Sequence, residues 1–213
     1  MDLQLLAAQL RKPVGEEGRQ IGEVMNNGNK LINEWTIAQL GLQDADYVLE
    51  IGMGNGYFVK DILIKPFIRY HGIDYSDIMI AEATKMNQTF IDQDKANFTL
   101  ATADKIPFDD NTFSKIFAVN TIYFWGDAGN ELEEIKRVLQ PGGKFVLSIR
   151  SKETMHQMPF TDYGFVKYTG EELVNVLIKH AFKVTNVLQQ KEPAYLFNSQ
   201  SLQLENIIVT CSK

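Results

Sequence analysis

The sequence predicts an α/β protein: a doubly wound, mostly parallel sheet with a helical segment ahead of it. Three observations carry this. From about residue 46 short apolar runs alternate with segments of helical period, a glycine-rich turn follows the first run, and the last two runs have no helix between them. Strand–helix alternation argues for a parallel sheet covered by helices on both faces, its crossovers right-handed.

Val48-Leu49-Glu50-Ile51 reads as the first strand, Tyr70 to Asp74 as the second and Asn97 to Leu100 as the third. Phe113 to Val119 and Lys144 to Ile149 supply a fourth and fifth. Helical stretches fall at roughly 57–64, 77–88 and 128–139. Thr169-Gly170-Glu171-Glu172 has the form of a capping box, opening a helix that runs to about His180. Phe182 to Leu188 and Ile207 to Cys211 are consecutive strands without a crossover, so they must pair antiparallel. The first 45 residues read as helical. Leu31, Trp35 and Ala38 share one apolar face and Gly41 is a stop. This segment is expected to cover one edge of the sheet, with a lid over a ligand as the alternative.

At 213 residues the chain suits one domain, divided into a helical cap (1–45), a core (46–150) and a closing segment with the terminal strands (151–213). Its net charge of -6, with no basic stripe, argues against nucleic acid and anionic membranes as main partners. The one cysteine, Cys211, cannot form an internal disulfide. The N-terminus lacks a basic region before its apolar run, and no stretch approaches the length of a membrane span, so a cytoplasmic protein is expected. Three scattered histidines and one cysteine have no metal-ligand spacing, and no metal is expected. His71 and His180 read as surface or helix-end residues.

The strand–turn–helix unit at 48–58 says most about function. Glycines are needed where the chain takes positive φ or where a ligand lies against bare backbone, and a helix N-terminus favours an anionic group. Gly52-x-Gly54-x-Gly56 is followed by Tyr57, where a dinucleotide fingerprint wants a third small residue, and the loop lacks the Lys-Ser/Thr ending of a P-loop. Asp74, 22 residues after Gly52 at the end of the second strand, can accept hydrogen bonds from ribose hydroxyls, since Ser76 is better placed to cap the next helix. Asp104, just past the third strand, can accept from an adenine amino group. All three features fall at carboxyl ends of neighbouring strands, where open α/β sheets bind ligands.

On these residues the chain resembles the class I methyltransferases that use S-adenosylmethionine, over roughly 45–150 and on toward the end. Val48 to Gly56 is similar to their first motif, and Gly72-Ile73-Asp74-Tyr75-Ser76 to the second-strand acid. Ala103 to Phe108 with Asn111-Thr112-Phe113 resembles the adenine-side motif, and Leu139-Gln140-Pro141-Gly142-Gly143-Lys144 the turn before strand five. There Pro141 is expected to end the helix and the paired glycines to allow the reversal. The small-molecule branch that includes quinone-type methylases is the most similar. The resemblance implies a Rossmann-like sheet of seven strands, the last antiparallel. It implies that Gly52, Gly54 and Gly56 pass beneath the methionine portion and ribose. Glu50 would support the loop or the methionine amine, Asp74 the ribose, Tyr75 one adenine face, Asp104 the adenine amino group and Asn120 the methyl end. Ser114 and Ala181 depart from the family pattern at positions that do not bind cofactor. Asn120-Thr121-Ile122-Tyr123 lacks the Pro-Pro of amino-group methylases of DNA and proteins, which argues against those acceptors.

Methyl transfer from an activated sulfonium is mainly a positioning task, and a general base is needed only if the acceptor proton is still in place. Tyr123, Phe124 and Trp125 after strand four are candidates to wall an apolar pocket for a small acceptor. So are Met155, Met158, Phe160, Tyr163, Phe165 and Tyr168 after strand five. His156 and Tyr123 are the catalytic candidates. A nicotinamide-dependent oxidoreductase and a non-catalytic cofactor-binding protein of the same fold are the competing readings. Tyr57 and the Pro-Gly-Gly turn count against the first.

Overall fold

The computed structural model describes residues 2–197 and 200–213; Met1, Asn198 and Ser199 lie outside the described residues. Strands β1 (Tyr47–Ile51), β2 (Arg69–Asp74), β3 (Ala96–Leu100), β4 (Phe113–Val119) and β5 (Leu139–Arg150) are parallel. After β6 (Lys183–Lys191) comes a small antiparallel ribbon of β7 (Tyr195–Phe197) and β8 (Gln200–Leu202). The final strand β9 (Glu205–Ser212) then inserts antiparallel between β5 and β6. The seven-stranded order is β3-β2-β1-β4-β5-β9-β6. The expected mostly parallel sheet with an antiparallel last strand is therefore present; the ribbon was not expected. Strand order reverses between β1 and β4, which opens a crevice beyond their carboxyl ends.

Three helices precede β1: α1 (Leu3–Arg11), α2 (Gly15–Gly28) and α3 (Lys30–Leu40). Six more follow among the described residues: α4 (Val59–Ile62), α5 (Asp77–Met86), α6 (Gln88–Ile91), α7 (Gly129–Val138), α8 (Lys152–His156) and α9 (Gly170–Lys179). Alternation along the strands gives two cores. Leu49, Ile51, Leu147 and Ile149 face Leu132 of α7 and Leu173 of α9. Val48, Phe117, Val146 and Ile208 face Leu40 of α3 and Val59 and Ile62 of α4. Period two puts successive strand residues on opposite faces, so each run of apolar residues serves both helix layers.

Five details correct the sequence reading. The buried face of α3 is Ile32, Asn33, Thr36 and Leu40, while Leu31 and Trp35 are partly buried and Ala38 is exposed. Polar residues occupy that face because they are paired: the Thr36 and Ser148 hydroxyls meet at 2.6 Å, and the Asn33 amide donates to the Asn29 carbonyl at 2.8 Å. α3 covers the sheet's face rather than an edge, while α1 and α2 roof its carboxyl end. The helix after the glycine loop is a single turn, so its dipole adds little to anion binding. α7 stops at Val138, ahead of Pro141, because Leu139 is already extended and pairs with Phe113. His71 is buried in β2, its ring 2.8 Å from the Thr99 hydroxyl, and burial pushes its pKa down to about 4. His180 does cap a helix end, that of α9, and the capping box of Thr169 and Glu172 forms with both hydrogen bonds. Gly41 ends α3 at φ 59°.

Candidate functional site

The turn after β1 is held from below. The Gly52 amide donates to the Ile73 carbonyl at 2.8 Å. A Cβ on Gly52 would lie 2.3 Å from the Thr121 methyl carbon, so no larger residue fits there. Gly54 differs. It has φ 58°, and an added Cβ would meet nothing within 4 Å, so bare backbone faces open space. The Thr121 hydroxyl beside the loop is buried without a hydrogen-bond partner. An open backbone cradle next to an unpartnered hydroxyl is what a bound polar ligand would complete.

Asp74, at the end of β2, accepts from the Gly54 amide at 3.1 Å and the Ser76 amide at 2.9 Å. An ionised carboxylate offers about four acceptor sites, so room remains for ribose hydroxyls. Burial raises its pKa, opposed by those amide donors. Glu50 is buried at the end of β1, where the Tyr70 hydroxyl donates to it at 2.6 Å. Burial pushes its pKa to about 7, the Tyr70 bond pulling down and nearby Asp74 pushing up. Asp104 is exposed at the rim.

Above these residues lies a cavity of about 1000 Å³, at the top of the usual range for ligand pockets. Glu50, Gly52, Gly54, Asp74, Tyr75, Asp104 and Asn120 all line it. Gly56 does not. It lies beneath, where a Cβ would meet Asn87 and Ala83.

The far half is roofed by Leu6 and Leu10 of α1 and Ile21 and Met25 of α2. Four hydrogen bonds fasten this roof to the strand ends. The Tyr75 hydroxyl donates to the Arg11 carbonyl, and the Ser76 hydroxyl donates to that of Pro13 at 2.5 Å. The Asn120 amide donates to the Asn29 side chain at 3.2 Å, and Arg150 donates to the Gly28 carbonyl at 2.6 Å.

Of the aromatic and sulfur side chains expected at the acceptor end, Tyr123, Phe124, Trp125, Met155, Met158, Phe160 and Phe165 line the cavity. Tyr163 is exposed, Tyr168 is packed in the core, and His156 is exposed and off the cavity wall. α8 turns Thr154 and Met155 inward, so His156 in the same short helix points away; this corrects its place as a base. The Tyr123 phenol is buried, donates to Asn120 at 2.9 Å and accepts from the Arg150 amide at 2.5 Å. Burial raises its pKa, so it acts here as an anchor for the ends of β4 and β5. The sequence reading held the roof only as the alternative role of the first 45 residues, and did not single out Leu3, Leu6 and Leu10, although they follow helical spacing. It also missed Arg150, the charge at the carboxyl end of β5.

A nucleoside-sized crevice at a switch point, a glycine cradle and a strand-end carboxylate define a nucleoside-binding α/β protein. Comparison with known proteins narrows this. A methyltransferase domain model matches residues 49–147. The uncharacterized methyltransferase YdaC of Bacillus subtilis (strain 168) is 29% identical over 133 residues, 62% of this chain and 71% of its own. The sterol 4-C-methyltransferase strm-1 of Caenorhabditis elegans is 29% identical over 136 residues, 62% of this chain but only 38% of that protein. The crystal structure of a SAM-dependent methyltransferase from Aquifex aeolicus superposes with a TM-score of 0.70 at 19% identity, covering 90% of this chain and 97% of that one. The matched segment, these relatives and the seven-stranded sheet liken the chain to the class I methyltransferases, whose cofactor is S-adenosylmethionine.

Proposed function

We propose that this methyltransferase passes the methyl group to a small acceptor with an apolar or aromatic body, held beneath α1 and α2 at the ends of β4 and β5. The observation that carries this is the wall itself. Beyond Asn120 the cavity wall is mostly aliphatic, aromatic and methionine side chains, with Asn29, Asn33, Arg150 and Gln157 among them. When bound, the cofactor supplies a methyl on a sulfonium sulfur, and the acceptor–carbon bond forms as the carbon–sulfur bond breaks.

The chain's own residues orient the two molecules. Gly52 and Gly54 form the bed for the methionine portion and ribose, with Gly56 packed beneath them, Glu50 holds the amine, and Asp74 takes the ribose hydroxyls. Tyr75 and Asp104 serve the adenine, and Asn120 marks the methyl end. Of residues 1–45, α1 and α2 act as roof and α3 packs on the sheet, with 46–150 as the cofactor core and 151–213 as the acceptor side of one domain.

No histidine lines the cavity, and the Tyr123 phenol is already committed. Neither His156 nor Tyr123 is therefore placed as a base, and positioning is the main source of rate. The sterol named for the Caenorhabditis elegans relative is an acceptor of this apolar kind.

The test is to incubate the protein with methyl-labelled S-adenosylmethionine and a cell metabolite extract, then identify the labelled product. Label in a solvent-extractable small molecule is expected. Label on protein or nucleic acid would overturn the acceptor class, and cofactor binding without any labelled product would favour the non-catalytic reading.

A further inference from the structure

Within the methyl-transfer reading, the acceptor half has a shape of its own. On α1, Leu3, Leu6 and Leu10 fall at i, i+3 and i+7 and all line the cavity. At a rise of about 1.5 Å per residue they make an aliphatic stripe about 10 Å long. Val24 and Met25 of α2 border the same space, and Leu202 and Leu204 approach from the segment leading into β9. The stripe does not end inside. Leu3 is 41% exposed and Val24 63% exposed, yet both line the cavity, so the apolar wall continues to the surface.

Charges are accounted for along this path. Arg150 is buried and held by Glu192, Asn206 at 2.6 Å and the Gly28 carbonyl. Arg11 lies over the Phe124 ring, 6.0 Å from its centroid. The carboxylates Glu50, Asp74 and Asp104 sit at or just past the ends of β1, β2 and β3, on the cofactor side, and Glu131 of α7 is close enough to Asp104 for their charges to interact. A long aliphatic wall with a surface outlet fits a chain better than a compact ring, because each added methylene finds more apolar surface to cover.

We infer that the acceptor half takes a molecule with an extended aliphatic chain, its reacting end near Asn120 and its tail leaving past Leu3 and Val24. The occupant is thus a lipid-soluble metabolite rather than a polar small molecule.

The probes are 1-hexanol, 1-octanol and 1-decanol, titrated calorimetrically into the full chain with and without S-adenosylhomocysteine. Affinity should rise about fourfold per methylene, the ratio that burying each one implies. Leu6→Gln should weaken 1-decanol at least tenfold while S-adenosylhomocysteine still binds, which also shows that the variant is folded. Alkanol affinity that is flat with chain length, or unchanged in Leu6→Gln, would overturn the inference. Failure of S-adenosylhomocysteine to bind counts instead against the methyl-transfer reading, and the chain-length slope without it still judges the chamber.

Discussion

Asp74 joins two tasks in one carboxylate. It fastens the glycine loop through the Gly54 amide and offers its remaining lone pairs to the cavity. Asp74→Ala should abolish measurable S-adenosylhomocysteine binding by calorimetry, a loss of a hundredfold or more, while the fold persists. Stability should fall by about 1–3 kcal/mol, the usual range for a buried donor left unpaired; wild-type affinity in the variant would refute the ribose role. Glu50 gives a prediction in pH. Its folded pKa of about 7 stands above the ordinary 4.5, so between those values the folded protein holds a proton that the unfolded chain has lost. Stability from this group therefore falls as pH rises through that window, by at most about 1.4 kcal/mol per unit. Burial raises Asp74 in the same direction. Glu50→Gln should flatten the slope in urea melts taken from pH 5 to 7.5, and an unchanged slope would remove Glu50 as its source. If Glu50 holds the cofactor amine, binding at pH 6 should also release a proton, seen as a binding heat that varies with buffer ionisation enthalpy.

Among the elements, the roof rests on Arg150. Its guanidinium joins the end of α2 at Gly28, Glu192 ahead of the β7–β8 ribbon, and Asn206 of β9. Removing one partner from a buried ion pair leaves a charge uncompensated and costs about 3–5 kcal/mol. Glu192→Ala should lose stability on that scale in urea unfolding. The double variant Arg150→Met, Glu192→Leu should recover most of it, and additive losses would argue against a coupled pair. Elements differ in how much of this the sequence made legible. The strands, the capping box of α9 and the antiparallel end of the sheet follow from local patterns, and the structure keeps them. The face of α3 was illegible because Asn33 and Thr36 count as polar in any periodicity, although their hydrogen bonds let them be buried. His156 looked well placed because its segment is right, but a short helix turns only some of its residues inward.

At the scale of the molecule, the cofactor half was legible, and the acceptor half was legible only in its aromatic and methionine residues after β4 and β5. Glycine spacing and strand-end acids recur because backbone geometry and ribose chemistry leave few solutions; Gly52, Gly54, Asp74 and Asp104 come to one crevice as the spacing requires. The acceptor wall is assembled from α1, α2, the 155–165 segment and the approach to β9, parts far apart in the chain with no shared motif. Its ligand is set by shape and apolar area, which single residue types do not announce. The most direct test of the account is calorimetric titration of the full chain with S-adenosylhomocysteine and, separately, with NAD. One-to-one binding of S-adenosylhomocysteine with no heat from NAD is the predicted result. Silence with S-adenosylhomocysteine, or tighter binding of NAD, would contradict it.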